Sequence, residues 1–159
     1  MTTKSDFTED EWTRVVRAPF VAGLAISLAD PGGPIEAAKE TMATFKVATN
    51  PPSREELLAE VALEIQAATQ QHHNPLKGFK PDKTVGVGED VLNELREVHS
   101  AVAAKATPEE ATAFAAWLVA AAEAAAKAAK DGGFMGFHAQ QVSDRERDMV
   151  DRVRDAVSG

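Results

Sequence analysis

The sequence predicts an all-α fold, a single-domain bundle of about six helices, from three observations. Apolar residues make up 44% of the 159 residues while aromatics are only 6%. Alanine dominates the apolar set; it has the best helix propensity, whereas sheets draw on Val, Ile, Thr and aromatics. Four Ser/Thr-x-x-Glu boxes stand just ahead of apolar-periodic segments: Thr8 with Glu11, Ser53 with Glu56, Thr107 with Glu110, and Ser143 with Glu146. In each, the hydroxyl and the carboxylate satisfy two orphan backbone donors reciprocally. Helical periodicity opens two further segments, one from Pro34 with Ile35, Ala38, Met42 and Phe45 on one stripe, the other from Glu89 with Val91, Leu95, Val98 and Val102.

The expected helices span 8–29, 34–48, 53–71, 89–105, 108–130 and 143–157. In the first, Trp12, Val15, Val16, Pro19 and Phe20 form a stripe opposite Arg14 and Arg17. Beyond Pro19, which removes one helical hydrogen bond and predicts a kink, the run FVAGLAISLA is apolar all round and should be enclosed. The fifth, begun by Pro108 at a position where a missing N–H is harmless, carries Phe114, Trp117, Leu118 and Ala121 opposite Glu123 and Lys127. These two helices are expected to pair at the centre. The third and sixth are one-sided and belong outside, with Leu57, Leu58, Val61 and Ile65, and Met149, Val150, Val153 and Val157, facing inward. No Pro/Ser/Gly linker divides the chain. A domain of this size buries about two-thirds of its extended surface, enough for one core.

Charge and composition narrow the function classes. With 17 Lys+Arg against 25 Asp+Glu, the net charge of −8 weighs against a nucleic-acid partner, which needs concentrated basic surface. No cysteine is present, so disulfides, thiolate metal sites and a cysteine nucleophile are all excluded. The start, MTTKSDFTEDEW, carries acids where a secretory signal has a basic region, and the uncharged runs Ala18–Ala29 and Ala111–Ala122 fall short of a membrane span. The expectation is a cytoplasmic protein with no transmembrane segment.

Catalytic signatures are thin. The sequence has no H-E-x-x-H, G-x-S-x-G, S-x-x-K or P-loop pattern. His72 and His73 are adjacent and so face different ways on a helix; His138 sits in a loop, and only His99, at the edge of the Val91–Val102 stripe, is retained as a candidate. The balance is toward a non-enzyme, with an enzyme of unrecognised site as one alternative.

Carboxylates offer a more specific hypothesis. Asp30 and Asp131 each close a presumed central helix, and Glu36, Glu40, Asp144 and Glu146 lie early in the helices that follow. If two pseudo-symmetric halves bring both turns together, these oxygens suit a hard cation, Ca²⁺ or Mg²⁺. The competing reading is that the aspartates form turns and the glutamates complement helix dipoles.

Twice, an Ala-rich helix ends in an Asp–Gly-type turn (LADPGGPI and AAKDGGFM) followed by an acid-bearing helix. In this the chain resembles the tellurite-resistance TerB-like family, over residues 22–42 and 121–150. The resemblance implies a helical bundle of two similar halves, divalent-cation binding at the turns and association with stress-response and membrane-linked complexes. It makes Asp30 and Asp131 the turn aspartates and Glu36 or Glu40 and Glu146 the helix-borne acids.

Two long loops provide the alternative, a scaffold or regulatory partner without metal. Segment 72–88 places Lys77, Lys80 and Lys83 around Phe79, a basic–aromatic patch suited to an anionic partner, or else a solvated loop with Leu76 and Phe79 tucked beneath it. Segment 131–142 offers Phe134, Met135 and Phe137, which either cap the open end of the bundle or dock a protein partner. A homodimer through an Ala-rich helix face is the remaining expectation.

Overall fold

The computed structural model describes residues 2–30, 33–81, 86, 88–131 and 144–158, with side chains described as far as residue 128 in the fifth helix. After a short 3-10 turn, Lys4–Asp6, come α1 (Glu9–Ala29), α2 (Pro34–Ala48), α3 (Glu56–Gln70), α4 (Glu89–Lys105), α5 (Pro108–Asp131) and α6 (Asp144–Ala156). No strand occurs among the described residues. The fold is the expected all-α single-domain bundle.

Helices α1 and α5 lie at the centre: each touches all five of the others. Val15, Val21, Ala22, Ala25 and Ile26 of α1 and Phe114, Trp117, Leu118 and Ala121 of α5 are fully buried. The alanines let the two axes approach, while Phe114 and Trp117 meet edge to face at 6.0 Å and fill the wider space. The Trp117 indole donates to the Val47 carbonyl at 2.7 Å, tying the end of α2 to α5. The halves are not interchangeable, since α2 packs far more extensively on α5 than α6 does on α1.

Two of the four expected capping boxes form. Thr8 accepts from the Glu11 amide at 3.1 Å and Glu11 accepts from the Thr8 amide at 2.9 Å; Thr107 and Glu110 do the same at 3.1 and 3.3 Å. The box at Ser143 begins outside the described residues. The box at Ser53 is corrected: α3 starts at Glu56, and the Ser53 hydroxyl is buried without a hydrogen bond. Its capping group comes from another helix. Glu110, 3% exposed, accepts from the Leu57 amide at 3.3 Å and from the Thr2 amide and hydroxyl at 3.2 and 2.6 Å. One carboxylate thereby fixes the start of α3, the start of α5 and the N-terminal segment at Thr2. Burial raises its pKa, and the bonds from Thr2, Thr107 and Leu57 outweigh that and hold it below the usual carboxylate range.

Helix α2 is turned away from expectation along most of its length, Phe45 alone of the expected stripe packing against the core. Ile35 and Met42 are 73% and 72% exposed, whereas Glu40 and Thr44 are 2% and 3% exposed. The reason lies in α1, where Gly23 faces Thr44 so closely that only a small residue fits on either side. Thr44 satisfies its own hydroxyl by donating to the Glu40 carbonyl at 2.8 Å, which makes its burial tolerable.

Helix α5 also qualifies the reading of the membrane question. Over Pro108–Ala128 it is long and apolar enough to cross a bilayer by length and composition, although its longest uncharged run is short. In this fold that stretch is one of the two central helices.

Candidate functional site

The site begins on the face of α1 that the sequence set opposite its apolar stripe. Arg14 and Arg17 lie there, but α4 packs against this face and presents Glu94, itself 8% exposed. Arg17 Nη2 donates to Glu94 Oε2 at 2.9 Å, and Arg14 Nε donates to Glu94 Oε1 at 3.1 Å; Arg14 also pairs with Glu97. Burial pushes the Glu94 carboxyl up, and the two guanidiniums more than reverse this, holding it below its ordinary value. Bonds to Glu94 and Glu97 likewise hold Arg14 more firmly protonated. A signal for this was present in the sequence. Glu94 stands three residues after Val91 and four before Val98, inside the apolar stripe of α4, where an unpaired acid would be costly.

Arg17 is 9% exposed and reaches past Glu94 to the segment that follows α3. Its Nη1 donates to the Lys77 carbonyl at 3.2 Å, and its Cζ lies 5.3 Å from the centre of the Phe79 ring. The segment is held in tight turns: the Asn74 side chain accepts from the Leu76 amide at 2.9 Å, and the Phe79 amide donates to the Leu76 carbonyl at 3.0 Å. Gly78 has φ +86°, and a Cβ there would stand 3.2 Å from Arg17 Nη1, so glycine suits both the backbone and the guanidinium. Leu76 and Phe79 pack against the core, while Lys77 and Lys80 are exposed.

Between α1, α3 and this segment lies a cleft of about 420 Å³. Trp12, Val16, Phe20, Ile65, Ala68 and Pro75 supply apolar wall; Arg17, Lys77, Glu64 and His73 are the ionisable groups along it. Glu64 is paired with Lys4 at 3.2 Å. Two buried donors on these side chains, Trp12 Nε1 and Arg17 Nε, have no hydrogen-bond partner. A smaller cavity of about 240 Å³ flanks Asn74–Leu76 on the other side and is lined by Gly23, Ser27, Glu40 and Thr44. The two share Phe20, Asn74 and Pro75, so Asn74 and Pro75 stand between two hollows along α1.

The expected cation ligands are placed unevenly. Asp30 follows α1, its amide donating to the Ile26 carbonyl at 3.2 Å. Glu40 is buried and accepts from the Ser27 hydroxyl. Burial raises its pKa, the Ser27 bond opposes this, and the charges of Glu146, Glu36 and Asp30 raise it further. Thus α6 and the α1–α2 turn do bring acids within electrostatic reach of one carboxyl. Asp144 is exposed, and Arg147 Nη1 stands 3.9 Å from its Oδ1. Among the described residues, no three His, Asp or Glu side chains are grouped to hold a metal ion. The Asp131 side chain lies outside the described residues, as do Lys83, Phe134, Met135, Phe137 and His138. His99 is half-buried on α4 with its Nδ1 unpartnered, and His72 and His73 are exposed. The Ala-rich face of α5 forms a shallow hollow with α6, lined by Ala115, Ala116, Val119 and Ala120 and rimmed by the Arg154–Glu123 pair at 3.0 Å.

Fold and site define a class: an all-α bundle with a side cleft of small-molecule size. No family model, curated protein or solved structure matches the chain.

Proposed function

We propose that the chain is a non-enzymatic binding protein and that its site is the cleft between α1, α3 and segment 73–78. The observation that carries this reading is the combination in one hollow of apolar walls, from Trp12, Val16, Phe20 and Ile65, and a few polar side chains along the edge, the usual make-up of a small-molecule site. Its volume of about 420 Å³ lies within the range of such sites. The test is fluorescence titration with the neutral apolar probe N-phenyl-1-naphthylamine. Wild type is expected to bind it with enhanced emission, and Ala68→Trp, which fills the hollow from the α3 side, is expected to abolish binding. No enhancement with wild type overturns the reading.

A second reading, a TerB-like protein holding Ca²⁺ or Mg²⁺ at the turns, is favoured by one observation: Asp30, Glu36 and Glu146 all act on the buried Glu40. It is tested by thermal-shift titration with each cation after EDTA treatment. Cation binding to the native state raises the melting temperature by mass action, and Asp30→Asn or Asp131→Asn should remove the shift. An unchanged melting temperature with both cations sinks it.

A further inference from the structure

We propose that the smaller cavity, between α1, α2 and residues 74–76, takes a small primary ammonium ion held by the carboxylate of Glu40; this site is separate from the cleft and does not rest on it. Glu40 differs from Glu94 and Glu110 in what meets it. Glu94 lies against two arginines, and Glu110 accepts from Thr2, Thr107 and Leu57. Glu40 is 2% exposed, and its one side-chain hydrogen bond is accepted from the Ser27 hydroxyl at Oε2. Among the described residues no cation pairs with it. Its Oε1 makes no hydrogen bond yet retains accessible surface, unlike the sealed Trp12 Nε1 and Arg17 Nε. Glu40 and Ser27 line the same cavity of about 240 Å³, which opens beside the exposed Thr41 and Asn74. Buried charges are ordinarily paired. Here burial raises the Glu40 pKa, the charges of Glu146, Glu36 and Asp30 add to this, and the Ser27 bond alone opposes them. A cation at Oε1 supplies the partner that the chain does not.

The rest of the lining decides which cation. The Ser27 proton goes to Glu40, that of Thr41 to the Ala37 carbonyl at 2.9 Å, and that of Thr44 to the Glu40 carbonyl at 2.8 Å. Each hydroxyl oxygen therefore offers lone pairs and no proton. No Lys, Arg or His lines the cavity. An ammonium group, with three donors and no acceptor, is the complement of such a wall. A hard divalent cation fits less well: it takes about six to eight oxygens, and Glu40 is the only carboxylate of the lining. Phe20, Leu24, Pro75 and Leu76 make up the apolar remainder and reward a short alkyl chain. The volume falls below the roughly 300 Å³ at which drug-sized sites begin, so the ligand is small.

The test is a ¹H–¹⁵N titration of the Gly23, Ser27 and Thr44 amides with n-butylammonium, n-butanol and butyrate at constant ionic strength. n-Butylammonium is expected to saturate these shifts at about tenfold lower concentration than n-butanol, the increment of one charge-assisted bond, and butyrate to leave them unmoved. Tetramethylammonium, which carries the charge without N–H donors, should bind more weakly than n-butylammonium. Glu40→Gln keeps the shape of the side chain and an acceptor for Ser27, and should abolish the preference for the ammonium over the alcohol. The ligand series on wild type stands whether or not that variant folds. No saturable shift with n-butylammonium, or equal saturation by n-butylammonium and n-butanol, overturns the proposal. So does a preference undiminished in folded Glu40→Gln, or a saturable response to Ca²⁺ or Mg²⁺ where n-butylammonium gives none. Binding of N-phenyl-1-naphthylamine in the cleft is read separately by fluorescence, so the failure of one site is distinguishable from the failure of the other.

Discussion

A Cβ built on Gly23 falls 2.4 Å from Thr44 Oγ1 and 2.9 Å from Thr44 Cγ2. This contact sets how closely α1 and α2 approach and hence which face of α2 turns inward. Gly23→Ala forces the helices apart or Thr44 from its place, and overpacking of this kind costs about 1–3 kcal/mol. In urea denaturation the variant is expected to lose that stability although alanine is the better helix former. Adding Thr44→Ala, which removes the two nearest atoms, should recover most of the loss.

Glu94 lies between two arginines in the interface of α1 and α4. Glu94→Ala leaves Arg17 buried without its charge partner, and breaking such a pair costs about 3–5 kcal/mol. Replacing both Arg17 and Glu94 by methionine should cost much less than the single change, since no uncompensated charge remains. A double-mutant cycle by chemical denaturation gives the answer, and equal losses for single and double variants would refute the arrangement.

Glu110 gathers four donors from three parts of the chain. Glu110→Ala uncaps α3 and releases Thr2, and with charged hydrogen bonds contributing about 1.5–3 kcal/mol each and not additively, a loss of about 2–4 kcal/mol is expected. Hydrogen exchange should quicken first at the start of α3, not only at the start of α5.

The buried carboxyls respond to pH in opposite senses. Glu94 and Glu110 have lowered pKa values, so their stabilisation is complete above the unfolded glutamate value of about 4.3 and is lost as pH falls through the still lower folded values. Glu40 has a raised pKa: its contribution is complete below the ordinary value and is lost as pH rises through the folded one. Glu40→Gln is therefore expected to stabilise the protein at pH 7 and to have little effect near pH 4, while Glu94→Gln and Glu110→Gln destabilise at pH 7. Melting temperatures at the two pH values check all three signs.

Much of the fold is legible in the sequence, and where it fails the reason is physical. The centrality of α1 and α5 follows from apolar residues all round a helix, and the starts of α1 and α5 from local capping boxes. The start of α3 does not, because its cap is Glu110, distant in the chain. The same holds for the site. Loop 72–88 stands out by its lysines and Phe79, but the cleft beside it is made by Trp12 and Arg17 of α1 and Ile65 and Ala68 of α3, each of which reads as ordinary helix surface or stripe.

The sequence by itself determined the number of helices, their approximate bounds and which two are central, since propensity, periodicity and capping act over a few residues. Tertiary structure alone decided that Arg17 is buried, that α2 turns Glu40 inward and Met42 outward, and that Asp30 and Glu146 bear on Glu40. Each of these depends on which face of one helix meets another. That choice is made by shape, as at Gly23 and Thr44, and by the pairing of buried charges, neither of which is written in the order of residues along one helix.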